Sequence, residues 1–380
     1  MDSAIHDATL SLARDLISRR SVTPHDDGCL DRLAGRLARL GFRCERLDRA
    51  GVGNLWARRG IDGPVVCVAG HVDVVPAGPL DAWTNDPFAP TERDGNLYGR
   101  GATDMKGALA AAMTAIERFV NRHPRHHGSL ALLLTTDEEG VATDGTVAVV
   151  EALAARGETI DQCIVTEPTS ATRLGDTIKN GRRGSLNGTL TVRGLQCHIA
   201  YPHRGRNPIH LAAPALAELA GMEWDRGNEY FPPTSFQLSN IHAGTGAVNV
   251  VPGVLTALFN FRFAPTSTVD TLQAQTDVVL TRHGLDYDVA WAVAAMPFLT
   301  PLGPLVDVLT ESVQEVTGLS PTLSTDGGTS DARFIATIAR EVAEFGPVNE
   351  SAHKVDEHIR LADLEPLSRI YEGALTRLLG

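Results

Sequence analysis

Residues 65–73 read VVCVAGHVD, an apolar and largely β-branched run that ends in a histidine and an aspartate two residues apart. Such a run predicts a buried central strand of an α/β sheet. Side chains two apart in a strand point to the same face, so His71 and Asp73 can leave its carboxyl end on one side. Open α/β sheets place their chemistry at that edge. We therefore interpret His71 as a metal ligand and Asp73 as the group that holds its other ring nitrogen.

Two further apolar runs also end in acidic residues. Residues 129–136 lead into Asp-Glu-Glu-Gly at 137–140, and residues 162–166 lead into Glu167. Asp104 stands at the mouth of an alanine-rich segment that predicts a helix to about residue 120. Strands that alternate with helices indicate a mainly parallel sheet. The sequence therefore predicts an α/β fold with helices on both faces of the sheet.

The pattern changes after Lys179, where alternating, half-exposed strands accompany two helices. This change indicates a smaller α+β domain inserted into the larger one. We expect a discontinuous catalytic domain over 1–180 and 294–380 and an inserted domain over 181–293. The Gly-, Pro- and Asp-rich segment 76–103 is predicted to be a long loop, and loops of that length are usually functional.

Composition limits the classes of partner. The formal net charge of −12 argues against nucleic acid and against anionic membranes. We find no stretch that approaches the roughly 20 apolar residues of a membrane span, and the acidic N-terminus does not resemble a signal peptide. The five cysteines are odd in number and lack metal-ribbon or C-x-x-C spacing, which favours a reducing, cytoplasmic setting.

Each polar candidate, taken alone, has an ordinary structural explanation. Asp104 fits a helix N-cap, the Glu138-Glu139 pair fits a solvated turn, and His353 fits a surface loop. Together they are harder to explain, because three or more unpaired carboxylates at one sheet edge repel one another. Two divalent cations would remove that repulsion, and mixed imidazole and carboxylate ligands suit zinc. One carboxylate can bridge two ions, while the adjacent glutamates divide into a ligand and a general base.

Several motifs together resemble one known family over nearly the whole chain. They are Gly70 to Pro76, Trp83 to Phe88, Leu97 to Gly107, Asp137 to Gly140, Glu167 to Thr169, Ile178 to Ser185, Phe231 to Ser235, Gly244 to Gly246, and Gly327 to Asp331. The chain is similar in these motifs to the dinuclear zinc amidohydrolases of the M20 metallopeptidase family. The resemblance implies a hydrolase with an inserted lid and dimerisation domain.

The resemblance also implies two zinc ions per subunit, for which cobalt can substitute. His71, Asp104 and Glu167 hold one ion in this reading, while Asp104, Glu139 and His353 hold the other. Asp104 then bridges the two ions. The family pattern further leads us to expect a cis peptide bond between Asp104 and Met105.

Three more residues carry catalytic expectations from the same resemblance. Asp73 orients the first histidine ligand, and Glu138 acts as general base and then as general acid. His198, in the inserted domain, reaches the partner subunit's site as an oxyanion donor, which implies a homodimer through that domain.

The arginine pair at 182–183 and the motif at 327–331 resemble the branch that hydrolyses the amide of N-succinyl-LL-2,6-diaminopimelate to succinate and LL-2,6-diaminopimelate. Arginine pairs well with the carboxylates of such a substrate. The substrate-binding residues implied by the resemblance are Arg182, Ser185, Tyr201, Asn249, Arg262, Gly328, Thr329 and Asn349.

Two positions depart from the family pattern. Cys197 replaces the usual glycine before His198, which would be strained if the backbone there required a positive φ. Val248 replaces a frequent asparagine before Asn249. The alternatives are another M20 activity, such as an acetylornithine deacetylase or a dipeptidase, and a non-catalytic metal-binding protein. Glu138 disfavours the last, because a binding module needs no base beside its ligands.

Overall fold

Two compact units make up the protein in a computed structural model that describes residues 3–380. The first unit runs to Gly181 and includes Leu299–Ser324 and Ser330–Gly380, while the second comprises Arg182–Phe298 and Thr325–Thr329. The sequence placed the domain boundaries at 180/181 and 293/294, whereas the units divide at 181/182 and 298/299. The short segment 325–329 belongs with the second unit, a detail that the sequence did not indicate. Met1 and Asp2, at the start of the predicted catalytic domain, lie outside the described residues.

Helices and strands alternate through much of the chain. The helices are α1 (Ser3–Ile17), α2 (Cys29–Arg39), α3 (Gly107–Arg122), α4 (Thr146–Ala155), α5 (Pro208–Gly221), α6 (Val269–Arg282), α7 (Pro304–Thr317), α8 (Ala332–Ile335) and α9 (Leu361–Leu379). The strands are β1 (Arg43–Arg46), β2 (Asn54–Arg59), β3 (Val65–His71), β4 (Thr91–Arg93), β5 (Asn96–Tyr98), β6 (Ser129–Thr135), β7 (Ile160–Val165), β8 (Thr177–Lys179), β9 (Gly181–Arg182), β10 (Gly184–Arg193), β11 (Cys197–His198), β12 (Ser235–Ala243), β13 (Val250–Val251), β14 (Val254–Phe263), β15 (Tyr287–Ala295), β16 (Phe298–Leu299), β17 (Thr322–Ser324), β18 (Ala339–Glu344) and β19 (His358–Arg360).

The first unit is built on an eight-stranded sheet with the order β1-β2-β6-β3-β7-β18-β8-β17. Its centre is parallel, because β3 pairs in parallel with β6 and β7, and β7 pairs in parallel with β18. Antiparallel strands β1 and β2 extend one edge. The prediction of a mainly parallel α/β sheet is therefore confirmed.

Strand β3 is buried on both faces, as its continuous apolar sequence predicts. Val66 and Val68 join the core formed with α1, α2, α3, α7 and α9. Cys67 points to the opposite face, is fully buried and lies in register with Cys163 of β7. Because side chains alternate along a strand, His71 shares this second face and emerges at the carboxyl end. The strand thereby delivers one functional side chain to the edge shared with β6 and β7.

The second unit has its own sheet, in the order β12-β14-β10-β15, which is antiparallel throughout. Helices α5 and α6 pack on it around an apolar core that includes Trp224, Phe259 and Phe261. The alternating burial of β10 and β14 matches their alternating sequence. Strand β12 was not predicted, because its second half carries polar residues and is exposed at the sheet edge.

The long-loop prediction for 76–103 was wrong in part. Strands β4 and β5 form a hairpin there, and β5 also pairs with β19. The turn is Asp94-Gly95, whose φ angles of 49° and 77° both lie in the left-handed region. Asp-Gly is a strong signal for this kind of tight hairpin turn, and it was hidden within a loop-like composition. No helix within residues 3–380 is long and apolar enough to span a membrane.

Candidate active site

Three neighbouring parallel strands of the first unit lead polar side chains to one edge of the sheet. Strand β3 ends at His71, β6 is followed by Glu138 and Glu139, and β7 is followed by Glu167. The His71 ring is almost fully buried. Its Nε2 atom lies 3.1 Å from Asp104 Oδ1, 3.8 Å from Glu167 Oε1 and 3.9 Å from Glu138 Oε2. One imidazole nitrogen therefore faces three carboxylates.

Asp104 also faces a second histidine. Its Oδ2 atom lies 3.3 Å from Nε2 of His353, which in turn lies 2.9 Å from Glu139 Oε1. His353 has a φ of 62° and a half-exposed side chain, so it approaches from a loop rather than from the sheet. Asp104 thus presents one oxygen to each histidine. That is the arrangement a carboxylate needs to bridge two cations.

Asp104 lies in a kinked segment, Ala102–Lys106, that precedes α3. The peptide bond between Asp104 and Met105 is cis, as the family pattern led us to expect. Asp104 and Met105 have non-helical backbone angles, so regular helical geometry is broken at both residues.

The residues present fit a pair of divalent metal ions. Ligand atoms lie within 4.8 Å of one another in three groups of side chains. These groups are His71 with Asp104 and Glu167, His71 with Glu138 and Glu139, and Asp104 with Glu139 and His353. Imidazole nitrogens combined with carboxylate oxygens form a donor set that suits zinc and similar ions.

Asp73 holds His71 differently from the sequence-based expectation. The Nδ1 atom of His71 lies 2.9 Å from the backbone carbonyl oxygen of Asp73, whereas the nearest carboxylate oxygen is 3.6 Å away. The Asp73 carboxylate instead accepts a 3.1 Å hydrogen bond from the backbone N–H of Glu139. Asp73 therefore contacts both the first histidine and the turn that carries the two glutamates.

The pKa values of the side chains at this edge are shifted by burial and by the neighbouring carboxylates. Burial, and then the negative charge of Glu167, raise the pKa of Glu138 well above its usual value. Burial alone would lower the pKa of His71, but Asp104 and the surrounding carboxylates hold it well above its usual value. Hydrogen bonds to Asp104 and Glu139 raise the pKa of His353 to about 10. The carboxylates thus stabilise positive charge at this edge, whether on the histidines or on bound cations.

Sequence reasoning assigned no role to two buried acidic residues that act on the proposed site, Glu357 and Asp331. Glu357 is fully buried and lies four residues after His353. Asp331 is also buried. Asp331 ends a motif that was noted without a role, and its charge acts on Glu138. Only the run of polar residues after His353 hinted at Glu357.

Several predicted substrate-binding residues are gathered in the second unit. Arg182 is buried, and its Nη1 donates to the backbone carbonyls of Asp326 and Gly328 at 3.1 and 3.2 Å. Thr329 belongs to the same short segment. Ser185 and Arg262 face each other across β10 and β14.

The remaining predicted residues are exposed. His198, Tyr201 and Asn249 lie in the second unit, where the rings of His198 and Tyr201 are 5.7 Å apart. Asn349 lies in the first unit and contacts Ser170 through its backbone N–H. Cys197 lies in the extended backbone of β11, so it does not require the positive φ that would have strained it.

Comparison with known proteins finds similarity over nearly the whole chain. The model of peptidase family M20/M25/M40 matches residues 67–377. A curated relative, the succinyl-diaminopimelate desuccinylase of Azoarcus sp. strain BH72, is 64% identical over 371 residues and covers 98% of each chain. Among solved structures, aminopeptidase PepT from Bacillus cereus is 20% identical, with a TM-score of 0.80 and coverage of 98% of each chain. A dinuclear metal-binding M20 peptidase from Bacillus subtilis is 16% identical, with a TM-score of 0.73 and coverage of 99% of each chain.

Proposed function

The chain belongs to peptidase family M20/M25/M40, and from that membership we propose that it hydrolyses N-succinyl-LL-2,6-diaminopimelate to succinate and LL-2,6-diaminopimelate. The specific substrate is supported by the 64% identity, over nearly the full chain, to a relative named for this reaction. The arginine pair at 182–183 and the motif at 327–331, which resemble the pattern of this branch, support the same substrate.

One geometric observation carries the chemistry. Asp104 contacts two histidines through its two oxygens, while the partly buried Glu138 lies 3.9 Å from the first of them. We assign His71, Asp104 and Glu167 to one metal ion and Asp104, Glu139 and His353 to the other. Zinc is the ion that this donor set favours, and cobalt is a substitute with similar preferences.

Two such ions, when bound, would lower the pKa of a water between them and polarise the substrate amide. Glu138 takes the proton of the attacking water. It lies beside the assigned ligands, and it is not itself assigned to either metal ion. Its environment favours the protonated form, so it can then donate that proton to the leaving amine nitrogen. The C–N bond breaks, and the carboxylate is restored for the next turnover.

Substrate recognition is assigned to cationic and polar groups, because the substrate carries carboxylates at both ends. Planar guanidinium groups pair with carboxylates through two parallel hydrogen bonds. We assign this role to the residues named from the resemblance, which are Arg182, Ser185, Tyr201, Asn249, Arg262, Gly328, Thr329 and Asn349. His198 is assigned to the oxyanion of the partner subunit's reaction, in a cytoplasmic homodimer formed through the inserted domain.

The proposed substrate is tested by comparing kcat/KM of the zinc-loaded protein on three amides. These are N-succinyl-LL-2,6-diaminopimelate, N-acetylornithine and a simple dipeptide. We expect the succinyl substrate to be preferred by at least about 100-fold, because a competitor without the succinyl carboxylate cannot form the guanidinium–carboxylate hydrogen bonds that this substrate offers. A preference for N-acetylornithine or the dipeptide would reject this substrate in favour of another activity of the family.

A further inference from the structure

Glu357 of the first unit is a fully buried carboxylate that belongs to none of the motifs above. Its Oε1 atom accepts hydrogen bonds from the backbone N–H groups of Thr103 and Asp104, at 3.0 and 2.9 Å. Its Oε2 atom accepts from the backbone N–H of Gly101 at 3.0 Å and from Arg100 Nη1 at 2.6 Å. Four donors from five consecutive residues therefore converge on this one side chain.

Such an arrangement fixes the backbone that carries Asp104. A buried carboxylate is unfavourable unless hydrogen bonds satisfy it, and buried N–H groups are equally unfavourable without acceptors. Glu357 and the turn at 101–104 satisfy each other, so neither can shift without leaving polar groups unpaired. No other side chain in the described part of the protein accepts hydrogen bonds from the backbone N–H groups of 101, 103 and 104 together.

The same contacts link two segments that are distant in sequence. Arg100 also donates to the backbone carbonyl of Lys354 at 3.2 Å, and the Thr103 and Ser351 hydroxyl groups are 3.0 Å apart. The loop that carries His353 is thereby fastened to the turn that carries Asp104, with Glu357 as its most buried connection.

We propose that Glu357 is a positioning residue that sets the distance between Asp104 and His353, and thereby the affinity of the metal pocket that these two residues form with Glu139. The inference rests on the two-metal site proposed above. The pocket of His71, Asp104 and Glu167 depends on it less, since strands β3 and β7 hold two of its three ligands.

The test is a calorimetric zinc titration of chelator-treated, full-length Glu357→Gln. The amide keeps the size of the side chain but turns an NH₂ group towards backbone N–H donors. We expect the second zinc equivalent to bind about 10–100-fold more weakly than in the wild type, with a smaller change in the first. Saturating zinc should restore most of kcat, as expected for a residue that acts through metal retention.

Glu372→Gln is the matched control, because Glu372 is also buried and bonds two arginines, Arg118 and Arg122, at 2.7 and 2.6 Å. It contacts none of the assigned ligands, so both zinc affinities should stay at the wild-type level. A Glu357→Gln variant that binds the second zinc as tightly as this control overturns the proposal.

If Glu357→Gln does not fold, Glu357→Asp replaces it, since the shorter acid keeps the charge but cannot reach all four donors. A weakened second site again supports the proposal, and a wild-type second site overturns it. The titration uses no substrate, so rejection of the succinyl substrate leaves this result standing. Wild-type protein that binds a single zinc would instead refute the two-metal assignment itself.

Discussion

At the scale of single residues, the main feature of the candidate site is its concentration of negatively charged side chains. Four carboxylates surround two imidazoles and raise the pKa of both, against the effect of burial, while burial and then the charge of Glu167 raise the pKa of Glu138. Residue types and their places after strands were enough to predict His71 and the acidic residues that follow β6 and β7. They were not enough to predict that Asp73 would hold His71 through its backbone carbonyl oxygen. The alternation of residues along a strand predicts which face a side chain occupies, but it does not predict which hydrogen bonds the backbone carbonyl accepts.

Asp176 shows how hydrogen bonds from backbone N–H groups stabilise the segment that follows Glu167. Burial alone would raise the pKa of Asp176, but N–H groups of Ala171, Arg173 and Thr172 lower it to about 2. A lowered folded-state pKa adds stability above the unfolded value near 4, and this stability is lost as pH falls towards 2.

We therefore predict that Asp176→Asn lowers the free energy of unfolding by about 1–3 kcal/mol at pH 7, because charged hydrogen bonds are lost. The difference in Tm from the wild type should shrink as pH falls from 5 to 3. Thermal unfolding followed by fluorescence measures it, with the exposed Asp81→Asn as the control. A difference that grows on acidification would refute the explanation.

At the scale of elements, strand β3 shows what sequence pattern can predict. Its apolar run identified a buried strand, and the ends of β6 and β7 followed from the same reasoning. The pattern missed the β4–β5 hairpin, where a two-residue turn rather than periodicity determines the structure. The pattern also gave no reason for a glycine at position 70. The side chains of Met105, Leu109 and Thr166 occupy the space that a Cβ atom would need there.

Gly70→Ala should therefore destabilise the protein by about 1–3 kcal/mol through overpacking. A Cβ atom there would lie 2.8 Å from both Met105 Cε and Thr166 Oγ1. Because His71 is the next residue, we also expect weaker zinc binding in the same titration. The control is Gly35→Ala in α2, where no heavy atom lies within 4 Å and the helix should gain up to about 1 kcal/mol. Equal Tm values for the two variants would contradict this account.

At the scale of the whole molecule, the site joins residues that no local pattern connects. Asp104 and His353 are far apart in the chain, yet their side chains are 3.3 Å apart. Periodicity predicted the strands that carry His71 and Glu167, whereas His353 and the substrate residues followed only from the family resemblance. The structure brings the proposed ligands together in the first unit, and their roles remain predictions.

The proposed homodimer makes a prediction about mixed subunits. If His198 serves the partner subunit's site, Glu138→Gln and His198→Ala homodimers should both be nearly inactive. Refolding an equal mixture should restore about a quarter of wild-type activity, since half of the dimers would then contain one complete site. Activity that stays at the level of the separate variants would place His198 outside the partner's site. As a control, size-exclusion chromatography should show each variant as a dimer, at twice the 40.6 kDa mass of one chain.

The central claim is that Glu138 moves the proton for hydrolysis at a two-metal site. The most direct measurement is kcat of zinc-loaded Glu138→Gln on N-succinyl-LL-2,6-diaminopimelate, together with its zinc content. The account predicts about two zinc ions per chain and a kcat lowered by about 10²–10⁴-fold, because the base is lost while the assigned ligands remain. A variant that keeps both its zinc and a wild-type kcat would contradict it.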